Sequence, residues 1–175
     1  MSFARCTFES PLGELTACAT PKGICLLEFH DRRALTTELK FLCGHFDTSF
    51  SSNTNPHVDA LRAQAAEYFA GARAEFDLPL DAPGTPFQKR VWDALLRIPC
   101  GTTTSYLGLA RSIQQPSATR AVARANGQNR VAILIPCHRV IGSDGSLTGY
   151  GGKLWRKQWL LEHEARMAGA TLTFA

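Results

Sequence analysis

Asp81-Ala-Pro-Gly-Thr-Pro86 is the stretch on which the organisation of this 175-residue chain turns. Two prolines and a glycine within six residues suit neither a helix interior nor a central strand, so the chain changes element there and the stretch reads as a linker. The charge balance reverses across it. Residues 1–85 hold 7 Lys and Arg against 11 Asp and Glu, and residues 86–175 hold 12 against 4. A net charge of +4 for the whole chain therefore hides an acidic half and a strongly basic one. We place a domain boundary near residue 84, with one domain over 1–84 and another over 85–175. Such asymmetry points to a polyanionic partner for the second half, nucleic acid first, with a merely solvated basic face as the alternative.

Ahead of the linker, residues 3–8, 13–19 and 23–30 read as short strands separated by turn signals at Ser10-Pro-Leu-Gly and Pro21-Lys-Gly. Helices are expected near 31–43 and 57–70, which makes the first half a small α/β unit without evident chemistry. The six cysteines form no CxxC pair and no short secreted framework. Reduced thiols in a cytoplasmic setting, with no signal peptide, are expected. The longest apolar run falls far short of the roughly 20 residues that span a bilayer, so no membrane partner is expected.

Beyond the linker, Phe87, Val91, Trp92, Leu95 and Leu96 recur at helical spacing, and the helix should stop before Pro99-Cys100-Gly101. Residues 105–113 and 117–126, separated by Gln114-Gln115-Pro116, have the lengths of a helix-turn-helix. Ser117 is expected to cap the second helix and Gly127 to end it. That helix carries Ala118, Ala121, Val122, Ala123 and Ala125 around two long cations, Arg120 and Arg124. A small-residue face can enter a minor groove only about 6 Å wide, with one arginine as a wedge, or it can simply pack on neighbouring helices.

Residues 131–139, Val-Ala-Ile-Leu-Ile-Pro-Cys-His-Arg, deliver a thiol to the end of an apolar run with a histidine and an arginine behind it. Read as an extended segment, the run should stop at Pro136, and Cys137 and His138 should point to opposite sides. A bridging water could then carry the thiol proton to the imidazole. In the last helix the inward stripe reads Leu160, Leu161, Glu164, Met167 and Ala168, so a carboxylate lies on an apolar face and needs a partner. His138 is one candidate, completing a Glu164, His138, water, Cys137 relay. An arginine paired with Glu164 for structure alone is the other, and Cys137 could itself be an inert core residue. The glycine-rich loop from Gly142 to Gly152 includes Tyr150, whose ring suits stacking on a base.

Together, Ile135-Pro-Cys-His-Arg-Val140, Ser105-Tyr106, Thr119-Arg-Ala-Val122, Asn129, Thr148-Gly-Tyr-Gly-Gly152 and Trp159-Leu-Leu-Glu-His-Glu164 resemble the O6-alkylguanine-DNA alkyltransferase family over nearly the whole chain. The resemblance implies an α/β first domain with a small antiparallel sheet plus helices, RNase H-like. It implies a mainly α second domain with a helix-turn-helix, winged-helix-like, that binds DNA and carries the chemistry. The implied activity is DNA repair: a single-turnover methyltransferase moves the alkyl group of O6-alkylguanine, and of O4-alkylthymine, irreversibly from duplex DNA to Cys137 after base flipping.

The resemblance assigns activation of Cys137 to His138 and Glu164, and bracing of the active-site turn to Asn129. Ser105, Tyr106, Arg120, Ala121 and Arg124 fall on its DNA-binding positions, with Arg120 as the finger that fills the stack. Val140, Tyr150, Gly151 and Gly152 fall on its base pocket. Cys6 and Cys25 lie near positions where some relatives bind zinc, but no full four-ligand set is present, so neither a metal nor a cofactor is expected. A monomer in solution is implied, with cooperativity on DNA left open. Two rivals stand beside this reading. Alkyltransferase-like binding proteins carry tryptophan at the place of Cys137, and a cysteine hydrolase would need neither the arginine finger nor the basic half.

Overall fold

In the first half, the turn signals at Ser10 and Pro21 cut an apolar sequence into three strands, β1 (Ala4–Phe8), β2 (Leu15–Thr20) and β3 (Gly23–Phe29). They form an antiparallel sheet in the order β1-β2-β3, with Cys6 opposite Ala17, Cys18 opposite Leu26 and a bulge at Cys18 and Ala19. Ser10 and Gly13 exchange backbone hydrogen bonds across the first turn, and Gly13 takes a φ of 105° that a side chain would resist. This computed structural model describes residues 3–53, 55–170 and 174. It divides into two units, Met1–Pro83 with Arg130–Ala132, and Gly84–Asn129 with Ile133–Ala175.

Every residue of β2 and β3 is buried, so both sheet faces are covered. Helix α1 (Leu35–Phe46) contributes Leu35 and Leu42 to a cluster with Cys18, Cys25 and Leu26. Helix α2 (Pro56–Phe69) buries Val58, Leu61, Ala65 and Tyr68, and starts where the Asn55 side chain accepts from the His57 amide with Pro56 at the first turn. The outer edge of β3 is not left open. Ile24 donates to Pro79 O at 2.8 Å, Leu27 donates to Arg130 O at 3.0 Å, and Ala132 donates to Leu27 O at 2.7 Å. Short segments from two places in the chain thus close an edge that would otherwise invite pairing.

In the second unit, Thr85 and Gln88 form a reciprocal capping box that starts α3 (Pro86–Leu95), so the linker runs directly into a helix. Buried Trp92 donates its indole N–H to Ala125 O at 3.0 Å. Ser105 caps α4 (Tyr106–Ser112) by accepting from the Gly108 amide. The expected cap at Ser117 is not formed. A 3-10 turn, Pro116–Ala118, comes first, and α5 (Thr119–Gly127) begins one residue later without a side-chain cap. Pro116, with fixed φ and no N–H, starts that tight turn, and Thr119 Oγ1 bonds back to Pro116 O at 2.9 Å. Gly127 is the last helical residue, and Gln128 ends the helix by donating to Arg124 O at 3.0 Å.

Two-residue strands β4 (Thr104–Ser105) and β5 (Val140–Ile141) pair in parallel. Helix α6 (Leu154–Met167) closes the unit. Its inward face differs from the expected stripe: Lys157, Leu160, Leu161 and Glu164 are buried, whereas Met167 is half-exposed and Ala168 exposed. No helix among the described residues is long and apolar enough to cross a membrane.

Candidate active site

The segment before Cys137 is buried as expected but is not a strand. Val131 alone makes a sheet bridge, to Leu27, and residues 132–134 then turn, with Ile133 at a φ of 71°. A short apolar run buried on all sides has no period that distinguishes strand from turn, which is why its sequence misleads. Internal hydrogen bonds replace the missing ladder. Asn129 Nδ2 donates to Ile135 O at 2.8 Å, and Cys137 N donates to the same carbonyl at 2.8 Å across Pro136, whose φ of −81° and ψ of 61° define an inverse γ-turn. Cys137, His138 and Arg139 form one 3-10 turn closed by Arg139 N to Pro136 O at 3.0 Å. Successive side chains of that turn diverge by about 120°, so Cys137 and His138 still point apart.

Cys137 retains 7 % exposure, and His138 and Glu164 retain none. Nε2 of His138 lies 2.8 Å from Glu164 Oε1. A carboxylate only accepts, so Nε2 carries the proton in this arrangement. Nδ1 is then the basic nitrogen, and it has no hydrogen-bond partner among the described residues. Glu164 satisfies both alternatives drawn from the sequence, because Arg139 also grips it through Nε to Oε2 at 2.8 Å and Nη2 to Oε1 at 2.9 Å. Arg139 is itself held by Ile98 O at 2.5 Å. Burial opposes the charge on Glu164, but His138 and Arg139 outweigh it and hold the carboxyl well below the usual carboxylate range.

Lys157, unassigned in the sequence, is fully buried one heptad before Glu164 on the same face of α6. Its ammonium donates to Val140 O at 2.5 Å and Thr148 O at 2.7 Å, tying the glycine-rich loop to β5. Burial pulls its pKa down to about 8, partly offset by Cys137. Tyr106 OH donates to Thr148 O at 3.1 Å. Burial raises the Tyr106 pKa, the bond to Thr148 lowers it in part, and Cys137 raises it further. A lysine in an apolar stripe was the signal that could have found Lys157.

The remaining expected residues separate into two groups. Val140 is buried in β5, Gly152 is buried and Tyr150 is half-buried in the loop that Lys157 and Tyr106 hold, while Gly151 is exposed. Arg120, Ala121 and Arg124 are exposed on one side of α5, opposite buried Val122, Ala125 and Asn126. Ser105 is half-buried at the start of α4. Neither Arg120 nor Arg124 is paired with a carboxylate among the described residues, so both charges face outward. Asn126, buried on the other side of α5, reaches the thiol turn with a long contact from Nδ2 to Cys137 O at 3.5 Å. Cys6 and Cys25 belong to no group of three or more potential metal ligands among the described residues.

Residues 5–82 match the 6-O-methylguanine DNA methyltransferase ribonuclease-like domain, and residues 86–166 match the DNA-binding domain of the same family. The chain is 44% identical over 170 residues, 95% of each protein, to a methylated-DNA--protein-cysteine methyltransferase of Mycolicibacterium paratuberculosis. A Salmonella typhimurium protein of the same description is 52% identical over 114 residues, 65% of this chain and 66% of that one. A crystal structure of Mycobacterium tuberculosis OGT in complex with DNA is similar at a TM-score of 0.80 and 40% identity, covering 95% of this chain and 94% of that one. With two domain models spanning most of its length and a relative covering it almost end to end, the chain belongs to the 6-O-methylguanine DNA methyltransferase family.

Proposed function

We propose that Cys137 is the alkyl acceptor in direct repair of O6-alkylguanine in duplex DNA. The observation that carries this reading is the buried Glu164–His138 pair, which leaves a basic imidazole nitrogen one residue from a nearly buried thiol. The thiol proton passes through water to His138 Nδ1, and the resulting imidazolium is stabilised by Glu164. The thiolate attacks the alkyl carbon, the S–C bond forms as the C–O6 bond breaks, and the departing guanine takes up a proton. The product is a thioether. It has no leaving group that water can displace at ordinary rates, so each chain reacts once.

Residues 85–175 carry both DNA binding and transfer in this reading, while residues 1–84 are structural. The outward arginines Arg120 and Arg124, beside Ala121, suit the minor groove, with Arg120 filling the gap left by the flipped base. Ser105 and Tyr106 lie at the DNA backbone and target base. Val140, Tyr150, Gly151 and Gly152 wall the base pocket, and Asn129 braces the turn. O4-alkylthymine presents a comparable alkyl–oxygen bond and is a second substrate. The acting species is a single chain in the cytoplasmic compartment that holds the DNA.

Intact-protein mass after mixing with a duplex holding one O6-methylguanine tests the reading. A gain of about 14 Da, confined to the Cys137 peptide and saturating at one equivalent, is the expected result. DNA binding without a mass change would instead indicate a recognition protein, and modification of another cysteine would overturn the assignment.

A further inference from the structure

Ile133 is a β-branched residue at a φ of 71°, a conformation that strains such a side chain and persists only where the surroundings impose it. The turn it occupies is four residues before Cys137. Its far end is held by Asn129 Nδ2 on Ile135 O. Its near end belongs to the first unit: Arg130–Ala132 pair with β3 through Leu27 N to Arg130 O at 3.0 Å and Ala132 N to Leu27 O at 2.7 Å.

Two backbone hydrogen bonds make a short bridge that would fray alone, and the Arg130 side chain reinforces it. Its guanidinium lies 4.5 Å from the centroid of the Phe41 ring in α1, and its Nη1 donates to Pro83 O. Its charge attracts that of Glu38, also in α1, against repulsion from Arg32, which lies 3.6 Å from Glu38. Burial raises the Glu38 pKa, and the charges of Arg32 and Arg130 offset part of that rise. A cation held by an aromatic face and a carbonyl, with a carboxylate in its field, is a defined anchor rather than a solvated side chain.

We propose that Arg130 is a positioning residue for alkyl transfer, held by the Phe41 ring and the Pro83 carbonyl so that the strained turn leading to Cys137 is fixed at its start. The first domain thereby acts on the chemistry through chain continuity, without supplying a group that touches substrate. This rests on Cys137 being the acceptor.

The test compares the full-length wild type with Arg130→Met, Arg130→Lys and Glu38→Gln. The readouts are the single-turnover rate at saturating O6-methylguanine duplex, DNA affinity, and amide exchange over residues 132–137. For Arg130→Met, the rate should fall about 10- to 100-fold with DNA affinity unchanged, because displacement of a reacting group by about 1 Å is enough for such a loss. Exchange at the Ala132 and Cys137 amides should speed up at least as much, with β1 and β2 less affected. Arg130→Lys should recover part of the rate, and Glu38→Gln should reproduce part of the loss. Rates within twofold of wild type and unchanged exchange in folded Arg130→Met would overturn the proposal. Should Arg130→Met not fold, unchanged rate and exchange in Glu38→Gln and Arg130→Lys would do the same. Should the wild type transfer nothing, the acceptor reading fails, and the exchange data alone decide whether Arg130 fixes the turn.

Discussion

Replacing Glu164 by glutamine removes one charge and changes almost no volume, yet the geometry predicts a large effect. The carboxylate accepts hydrogen bonds from His138 Nε2 at 2.8 Å, Arg139 Nε at 2.8 Å and Arg139 Nη2 at 2.9 Å, in a fully buried position. A glutamine side chain offers one accepting oxygen and must aim its NH2 group at a donor, so at least one bond is lost and one contact becomes repulsive. Arg139 keeps its charge with its partner gone. Breaking a buried ion pair from one side costs about 3–5 kcal/mol. With a urea slope near 2–3 kcal/mol per molar, the unfolding midpoint should drop by about 1–2 M.

The transfer rate should fall by about 10²–10⁴, since the imidazole loses both its orientation and the charge that stabilises its protonated form. The pH dependence provides a second check. Because the folded Glu164 pKa lies below its unfolded value, the unfolded chain binds the proton first. Wild-type stability from this source is complete above the ordinary carboxylate pKa of about 4.3 and falls as pH drops below it. The glutamine variant lacks that part of the acid sensitivity. Denaturant titrations from pH 3 to pH 7 with single-turnover kinetics measure all three effects. A stability loss under about 1 kcal/mol together with a rate within about threefold of wild type would refute the claim that Glu164 organises this site.

Three further outcomes follow from the same structure. Lys157→Met leaves Val140 O without its ammonium donor, at about 1–3 kcal/mol for a buried acceptor left unpaired, while Thr148 O loses one donor and keeps its bond from Tyr106 OH. It should lower the melting temperature and speed amide exchange around Thr148; unchanged exchange there would show that Lys157 does not hold the loop. Cys137→Ala should abolish transfer and keep DNA affinity in a gel-shift assay, with loss of both pointing to a misplaced site. Arg120→Ala should slow repair in duplex DNA more than reaction with free O6-benzylguanine, and equal losses would argue against a flipping role.

Local chemistry made much of this fold legible. The capping box at Thr85 and Gln88, the Asn55 cap before Pro56 and the Ser10 and Gly13 turn each satisfy their hydrogen bonds within a few residues, so the elements they bound can be read without knowing the rest. Motif spacing likewise located the thiol, the histidine and the glutamate. Where a partner lies far along the chain, the same reading failed or stayed divided. Residues 131–135 look like a strand because they are apolar, but Asn129 and Leu27 decide which backbone groups are satisfied, and the result is a turn. Glu164 could be assigned to His138 or to an arginine from sequence, and only packing shows that one carboxylate serves both.

Lys157 shows the limit most clearly: as a letter it is a helix-surface cation, and its role depends on two carbonyls 17 and 9 residues away. Periodicity and capping are interactions within a few residues and are written into the order of the chain. Which buried donor meets which distant acceptor is decided only when the elements pack, because desolvation then makes each unpaired polar group costly and leaves few arrangements that satisfy them all.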